Sequence, residues 1–186
     1  MNVFDFDKTI YDGDSSIDFF LFCLKQDFRL IRFLPIQFFS LILYIFRFIS
    51  KEQLKSHYFS FFKGLKNIDE LVVLFWNNNE KKIKEWYKKK QTPEDCIISA
   101  SPRFLLKEIC RRLQINHLIA TDVDKVSGRL IGKNCYAENK VLFFKNDYPD
   151  IQIETFFSDS KSDYPIALLA KRAYIVKKNN ITEWIV

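Results

Sequence analysis

From Cys96 onward the sequence alternates short apolar runs with amphipathic stretches, and one further apolar run, Asn2 to Phe6, stands alone ahead of a long helical block. Strand–helix alternation of this kind predicts a parallel α/β sheet whose strands are covered on both faces. The predicted strands are Asn2–Phe6, Cys96–Ser99, Leu118–Ala120, Ile153–Ser158 and Ala173–Val176. Pro102–Leu113, Glu138–Asn146 and Tyr164–Lys171 read as the helices between them, Pro102 being suited to a first helical turn. Val126–Asn134, around Ser127-Gly128-Arg129, reads as a hairpin.

The block from Ser15 to about Lys90 has no strand signal and one glycine, Gly64, and it holds 13 of the 20 phenylalanines. Breaks are expected near Asp27, at Pro35, at Ser50-Lys51 and near Asn67, with Ser50 as a helix cap. The expected architecture is therefore a Rossmann-like parallel core, residues 1–13 and 91–186, with an inserted all-helical cap, residues 14–90. A chain of 186 residues suits one core with such an insertion. With 48% hydrophobic and 28% charged residues it is not a disordered chain. Its charge of +6 favours anionic partners in general.

Two predicted strands run into acidic turns, Asp5-Phe6-Asp7-Lys8-Thr9 and Ser158-Asp159-Ser160-Lys161-Ser162-Asp163. Ligands of open parallel sheets gather beyond the carboxyl ends of strands. Carboxylates meeting there repel each other unless a cation lies among them, and hard oxygen ligands suit Mg²⁺. Either turn by itself is also explained by aspartate's preference for turns and helix caps. Between them, Ser99-Ala100-Ser101-Pro102 joins a strand end to a helix start, a place where backbone N–H groups and a hydroxyl can hold phosphate oxygens. Lys140 stands early in a predicted helix, where the helix dipole disfavours a cation. The four cysteines form no CxxC pair and there are two histidines, which argues against zinc and for reduced thiols in a cytoplasmic protein. Met1-Asn2-Val3-Phe4 runs straight into acidic residues, with no signal-peptide pattern.

Taken in order, Asp5-x-Asp7-x-Thr9, Ser99, Lys140, and Asp159 with Asp163 resemble the four motifs of the haloacid-dehalogenase-like phosphatase superfamily. The resemblance is to the phosphoserine-phosphatase-like branch, and it spans nearly the whole chain. It implies a Mg²⁺-dependent phosphomonoesterase in which Asp5 attacks phosphorus and forms an aspartyl-phosphate, while Asp7 serves as acid and then base. It further implies that Asp5, the main-chain carbonyl of Asp7 and Asp159 hold Mg²⁺. Ser99, Ala100 and Lys140 would bind the phosphoryl group, and Thr9 and Asp163 would brace the site. The sequence departs from phosphoserine phosphatases in two places. Ser99-Ala100-Ser101 stands where they resemble Ser-Gly-Gly, and Lys51–Lys90 contains none of the arginine they use to hold a substrate carboxylate. The expected substrate is thus a small phosphorylated metabolite other than phosphoserine.

Arg32 and Arg47 bracket fourteen uncharged residues, Phe33–Phe46. As a helix these span ~21 Å, short of the ~30 Å core of a bilayer, and Pro35 is expected to interrupt them. Packing in the cap's own core, or in a dimer contact, is the first expectation for such a stripe. The alternatives are a helix pair lying in a membrane interface, flanked by Lys25, Arg29, Arg32, Arg47 and Lys51, or the entrance for a lipid phosphate. The apolar cap is similar to that of bacterial phosphatidylglycerophosphatases. A non-catalytic membrane-peripheral binding protein of the same fold is the remaining reading. The basic runs Lys81-Lys82 and Lys88-Lys89-Lys90 read as a solvated helix face. They lack the interleaved aromatics of a nucleic-acid binder, and no nucleic-acid partner is expected.

Overall fold

The computed structural model describes residues 1–185. Strand β1 (Asn2–Phe4) lies inside a six-stranded sheet of order β3-β2-β1-β4-β5-β6, with β2 Cys96–Pro102, β3 His117–Thr121, β4 Ile153–Ser158, β5 Ala170–Lys177 and β6 Asn180–Trp184. The first five strands are parallel. Phe4 is level with Ile97 of β2 and Phe157 of β4, so the residues that follow on all three strands leave the sheet at the same end. Chain order reverses beside β1, the place where open α/β sheets leave a crevice. Val3 and Phe4 are fully buried, one in each of two apolar clusters, because helices cover both faces.

Helices α1 (Ser15–Gln26), α2 (Leu34–Ile45), α3 (Lys51–Tyr58), α4 (Ile68–Asn79) and α5 (Glu85–Lys88) lie between β1 and β2. The side chains of Asp14 and Asp27 accept from the first N–H groups of the segments they precede, and Ser50 forms a capping box with Gln53. Helices α6 (Arg103–Arg112), α7 (Glu138–Asp147) and α8 (Tyr164–Ala167) complete the core. Phe19, Phe61, Phe62, Phe75 and Trp76 are buried and meet largely edge to face. Trp76 Nε1 donates to Leu105 O at 2.7 Å, and Arg112 reaches Val73 O at 3.1 Å and Glu80 at 3.0 Å. The base of the helical block therefore shares one apolar cluster with the sheet.

Several expectations need correction. The sheet is not wholly parallel: β6 returns antiparallel on β5 through a turn at Lys178, whose φ is 55°. The helix expected over Tyr164–Lys171 ends at Ala167, because Ala170 and Lys171 already belong to β5. The hairpin expected at Val126–Asn134 is a single bridge, Val123 to Leu130, around a tip at Gly128. Pro35 does not interrupt its segment. It occupies the first turn of α2, where no N–H is required, and a 3₁₀ segment, Phe28–Phe33, leads directly into that helix. Lys81-Lys82 and Lys88–Lys90 do not share a helix face. Lys82 pairs with Asp18 at 2.9 Å, and Lys90 lies over the Phe157 ring.

Internal packing of Phe33–Phe46 is also corrected. α2 is inside-out: Gln37 and Ser40 face α3, donating to Tyr58 O and meeting His57 Nδ1 at 2.9 and 2.8 Å. Phe38, Phe39, Ile45 and Phe46 are 60–68% exposed, and Phe48 just beyond the helix is 76% exposed. The run Phe28–Ile45 is long and apolar enough by composition to cross a membrane, and 11% of it is buried.

The Val123–Leu130 turn bears on the helical block. Gly128 has φ +74°, and a Cβ there would lie 2.0 Å from Phe59 O. Gly132 has a similar φ, +76°, and open space. Gly132→Ala is expected to cost only the left-handed strain of about 1–2 kcal/mol. Gly128→Ala adds a backbone clash and is expected to cost at least about 2 kcal/mol more. Thermal melting of the two variants checks this; equal losses would contradict the contact.

Candidate active site

Asp5 leaves β1 with both carboxylate oxygens engaged. Lys140 Nζ donates to Oδ1 at 2.7 Å, and Thr9 Oγ1 donates to Oδ2 at 3.2 Å. Lys140 comes from the first turn of α7, and its side chain is 2% exposed. It also donates to Asp163 Oδ2 at 2.7 Å, an oxygen that accepts from Ser158 Oγ at 2.7 Å. Burial alone would discharge Lys140; the carboxylates of Asp5 and Asp163 outweigh it and hold the ammonium charged. That pairing accounts for a lysine placed against the helix dipole. Burial pushes the Asp5 carboxyl up to about 7, against the pull of Lys140.

Thr9 is fully buried and accepts the Asp159 N–H at 2.9 Å, tying the loop after β1 to the loop after β4. Lys84 steadies the same loop from the far side, donating to Lys8 O and Lys178 O at 2.6 Å. Nothing in a lysine-rich sequence singled it out.

Asp7 is held at the start of α1. Its Oδ1 accepts the Ser15 N–H at 2.6 Å, and its Oδ2 accepts from Ser101 Oγ at 2.5 Å. Ser15 and Ser16 hydroxyls reach Ser101 Oγ at 3.1 and 2.9 Å. Burial, then the charge of Asp14, pushes Asp7 up to about 6. β2 is irregular between Ser99 and Pro102, and this bend brings Ser101 N–H onto Ser99 Oγ at 3.1 Å. The role of Ser101 was not foreseen, although its hydroxyl beside Ser99 was in view.

Asp5, Asp7, Ser99, Ala100, Lys140 and Asp159 line one cavity of about 210 Å³, and Asp163 and Ser160 close its side. Four segments remote in sequence thus meet at one strand-end crevice. Thr9 lies behind this cavity rather than on its wall.

The cavity's polar lining is carboxylate, hydroxyl and carbonyl oxygens together with two lysines, Lys140 and Lys8. Asp159, like Asp5 and Asp7, is pushed upward by burial, so a cation would relieve the crowd of carboxylates. Among the described residues no three His, Cys, Asp or Glu side chains form a closed metal cage. Mg²⁺ asks for less, one or two carboxylates with its own waters, and the residues present fit it.

A second cavity of about 1130 Å³ opens from the first, sharing Lys8, Asp14, Ala100 and Tyr136 with it. Its walls include Ile31, Leu34, Phe38, Leu41 and Leu54.

The sequence pattern of haloacid dehalogenase-like hydrolases matches residues 3–168. The chain belongs to this family. No curated protein matches its sequence. Among solved structures, a Bordetella pertussis Tohama I protein of unknown function is similar at TM-score 0.76 and 18% identity, over 93% of this chain and 87% of that one. A phosphoserine phosphohydrolase-like protein from Francisella tularensis is similar at TM-score 0.60 and 16% identity, over 93% and 86%. A phospho-aspartyl intermediate analogue of phosphoserine phosphatase is similar at TM-score 0.57 and 16% identity, over 92% and 83%. At these identities the likeness is one of fold, and it extends through the helical block of this haloacid dehalogenase-like hydrolase.

Proposed function

We propose that this protein is a Mg²⁺-dependent phosphatase that cleaves phosphomonoesters through an aspartyl-phosphate on Asp5. Residues 1–13 and 91–186 act as the catalytic core, and residues 14–90 as a cap over it. The observation that carries the proposal is the convergence of Asp5, Ser99, Lys140 and Asp159 on one cavity. A carboxylate Oδ of Asp5 attacks phosphorus, the new O–P bond forms, and the bond to the ester oxygen breaks. Asp7, raised towards neutrality and steered by Ser15 and Ser101, gives its proton to the leaving oxygen. It then takes a proton from water as that water attacks phosphorus and frees Asp5, releasing inorganic phosphate. Ser99, the backbone at Ala100, and Lys140 bind the phosphoryl oxygens. Asp5, the Asp7 carbonyl and Asp159 would hold Mg²⁺, which supplies positive charge to the phosphoryl oxygens when bound. Asp163 and Thr9 fix Lys140 and Asp5. The intact Asp5–Asp7 pair argues against a purely binding role. Hydrolysis of p-nitrophenyl phosphate with Mg²⁺, abolished by EDTA and restored by Mg²⁺, is the expected result; metal-independent turnover would contradict it.

The first expectation for the substrate was a small metabolite. The size and apolar walls of the adjoining chamber favour the alternative, a phosphate carried on an apolar body, such as a lipid phosphate. The exposed face of α2 belongs to the same reading: we propose that it lies in an anionic lipid surface. From Phe28 to Lys51 the charged residues are Arg29, Arg32, Arg47 and Lys51, with no acid among them. Arg32 and Arg47 are exposed beside the apolar face, Arg29 is paired with Asp27 at 2.8 Å just ahead of it, and residues of the same segment line the chamber. The protein is expected to co-sediment with phosphatidylglycerol vesicles. Phe46→Ser with Phe48→Ser is expected to weaken binding at least about tenfold, since each buried phenylalanine is worth about 1.5–3 kcal/mol. Failure to bind, or a stable dimer that covers α2 in solution, would overturn the lipid contact.

A further inference from the structure

Lys84 stands just before α5, on the link that returns from the helical block to the sheet, and it is buried. That link runs beside the outgoing one. Tyr11 and Ile83 form an antiparallel bridge, Asp12 N–H donates to Lys82 O at 2.8 Å, and Lys84 N–H donates to Ile10 O at 2.8 Å. From there the Lys84 ammonium donates to two carbonyls, Lys8 O and Lys178 O, each at 2.6 Å. Among the described residues no carboxylate lies within ion-pair distance of it, whereas buried Lys140 has two at 2.7 Å. Burial works against the charge of Lys84, and Asp12 and Asp159 support it only from a distance. An ammonium desolvated against neutral dipoles is unfavourable to keep, and a methionine would fill the same space.

The backbone that it holds is strained. Lys8 and Lys178 are both left-handed, with φ 58° and 55°. The two peptides flanking Lys8 are pinned separately. On one side Lys8 N–H donates to Gly13 O at 2.8 Å, and because that peptide is trans, Asp7 O points the opposite way. On the other side Lys8 O is taken by Lys84, and the next residue is Thr9, whose hydroxyl joins Asp5 Oδ2 to the Asp159 N–H. The turn at Lys178 reaches the second acidic loop as well, since Lys177 Nζ donates to Asp159 O at 2.6 Å. One ammonium thus stands behind Asp5, the Asp7 carbonyl and Asp159, and does not line the cavity that those groups share.

We infer that Lys84 is a positioning residue for the divalent-cation side of the site: its hold on Lys8 O keeps Lys8 left-handed and so sets Asp7 O and Thr9 together. The inference deepens the proposed Mg²⁺-dependent phosphatase and rests on it. Lys84 touches neither substrate nor cation and acts through Lys8.

Two measurements on the full chain test this. In metal-free protein, Lys84→Met is expected to speed amide hydrogen exchange at Lys8 and Asp159 by at least about tenfold and to leave Ile97 of β2 unchanged. Unchanged exchange at Lys8 and Asp159 would overturn the inference. The second measurement is binding of Mn²⁺, which suits the same oxygen ligands, read from the loss of the free ion's electron paramagnetic resonance signal. Lys84→Met is expected to weaken binding by about tenfold to a hundredfold, the scale for groups that orient metal ligands, and Lys84→Arg, which keeps a donor, to recover most of the loss. Trp76→Phe is the structural control. It loses the bond to Leu105 O in the shared apolar cluster, and is expected to lower Tm with Mn²⁺ affinity unchanged. Unchanged affinity in Lys84→Met, or an equal loss in Trp76→Phe, would overturn the inference. Should the wild-type protein bind no Mn²⁺, the metal reading fails separately, and the exchange rates still decide whether Lys84 sets the loop.

Discussion

Asp5→Asn is expected to leave a folded protein with no measurable phosphatase turnover. An amide oxygen is a poor nucleophile, and the substitution removes the atom that accepts the phosphoryl group. Loss of a covalent nucleophile costs up to about 10⁶-fold in kcat, and at least about 10⁴-fold is expected here. The fold should survive. Asparagine keeps the oxygen that accepts from Lys140 or Thr9, and Lys140 retains Asp163 at 2.7 Å. Steady-state assays beside thermal melting separate the two effects. Turnover within tenfold of wild type would move the chemistry away from Asp5.

Lys140→Met is expected to damage both stability and catalysis. It removes the one ammonium set between Asp5 and Asp163 and leaves two buried carboxylates facing each other. Breaking a buried ion pair from one side costs about 3–5 kcal/mol. For a chain of this size that is a fall in Tm of about 10 °C. The loss depends on pH in a defined direction. Asp5 already lies above its ordinary 3.8, at about 7, and without Lys140 it rises further. A carboxyl raised in the folded state stabilises below its unfolded value and loses that contribution as the pH rises through the folded one. The deficit in metal-free buffer is therefore smallest below pH 3.8 and grows as the pH passes 7. Adding Asp163→Asn to the variant should recover part of the stability and none of the activity, because it removes one of the orphaned charges. A pH-independent deficit would mean that the triad carries little charge.

The acidic strand ends were legible because their chemistry is local: a buried run that stops at Asp5 or Ser158 places its next side chains at the rim of a sheet. Lys140 was legible for a related reason, since a cation in a first helical turn needs an explanation nearby. Ser101 and Ser15 were not, because Asp7 recruits them from segments 86 residues apart. Lys84 was hidden similarly: its acceptors, Lys8 O and Lys178 O, lie 76 and 94 residues away. α2 misled for a physical reason. Apolar periodicity predicts an inward face, and here the inward positions are Gln37 and Ser40. A helix that turns its phenylalanines outward carries the same residues as one that buries them. β6 gave too little signal, as an exposed edge strand with no apolar alternation.

The central claim is that Asp5 becomes phosphorylated during turnover. Mass spectrometry of enzyme quenched in acid while it hydrolyses a phosphomonoester in Mg²⁺ reads this directly. The account predicts one phosphoryl group on the peptide that contains Asp5, absent with EDTA and absent in Asp5→Asn. Phosphate release with an unmodified Asp5 peptide, or with the phosphoryl group on another residue, would contradict it.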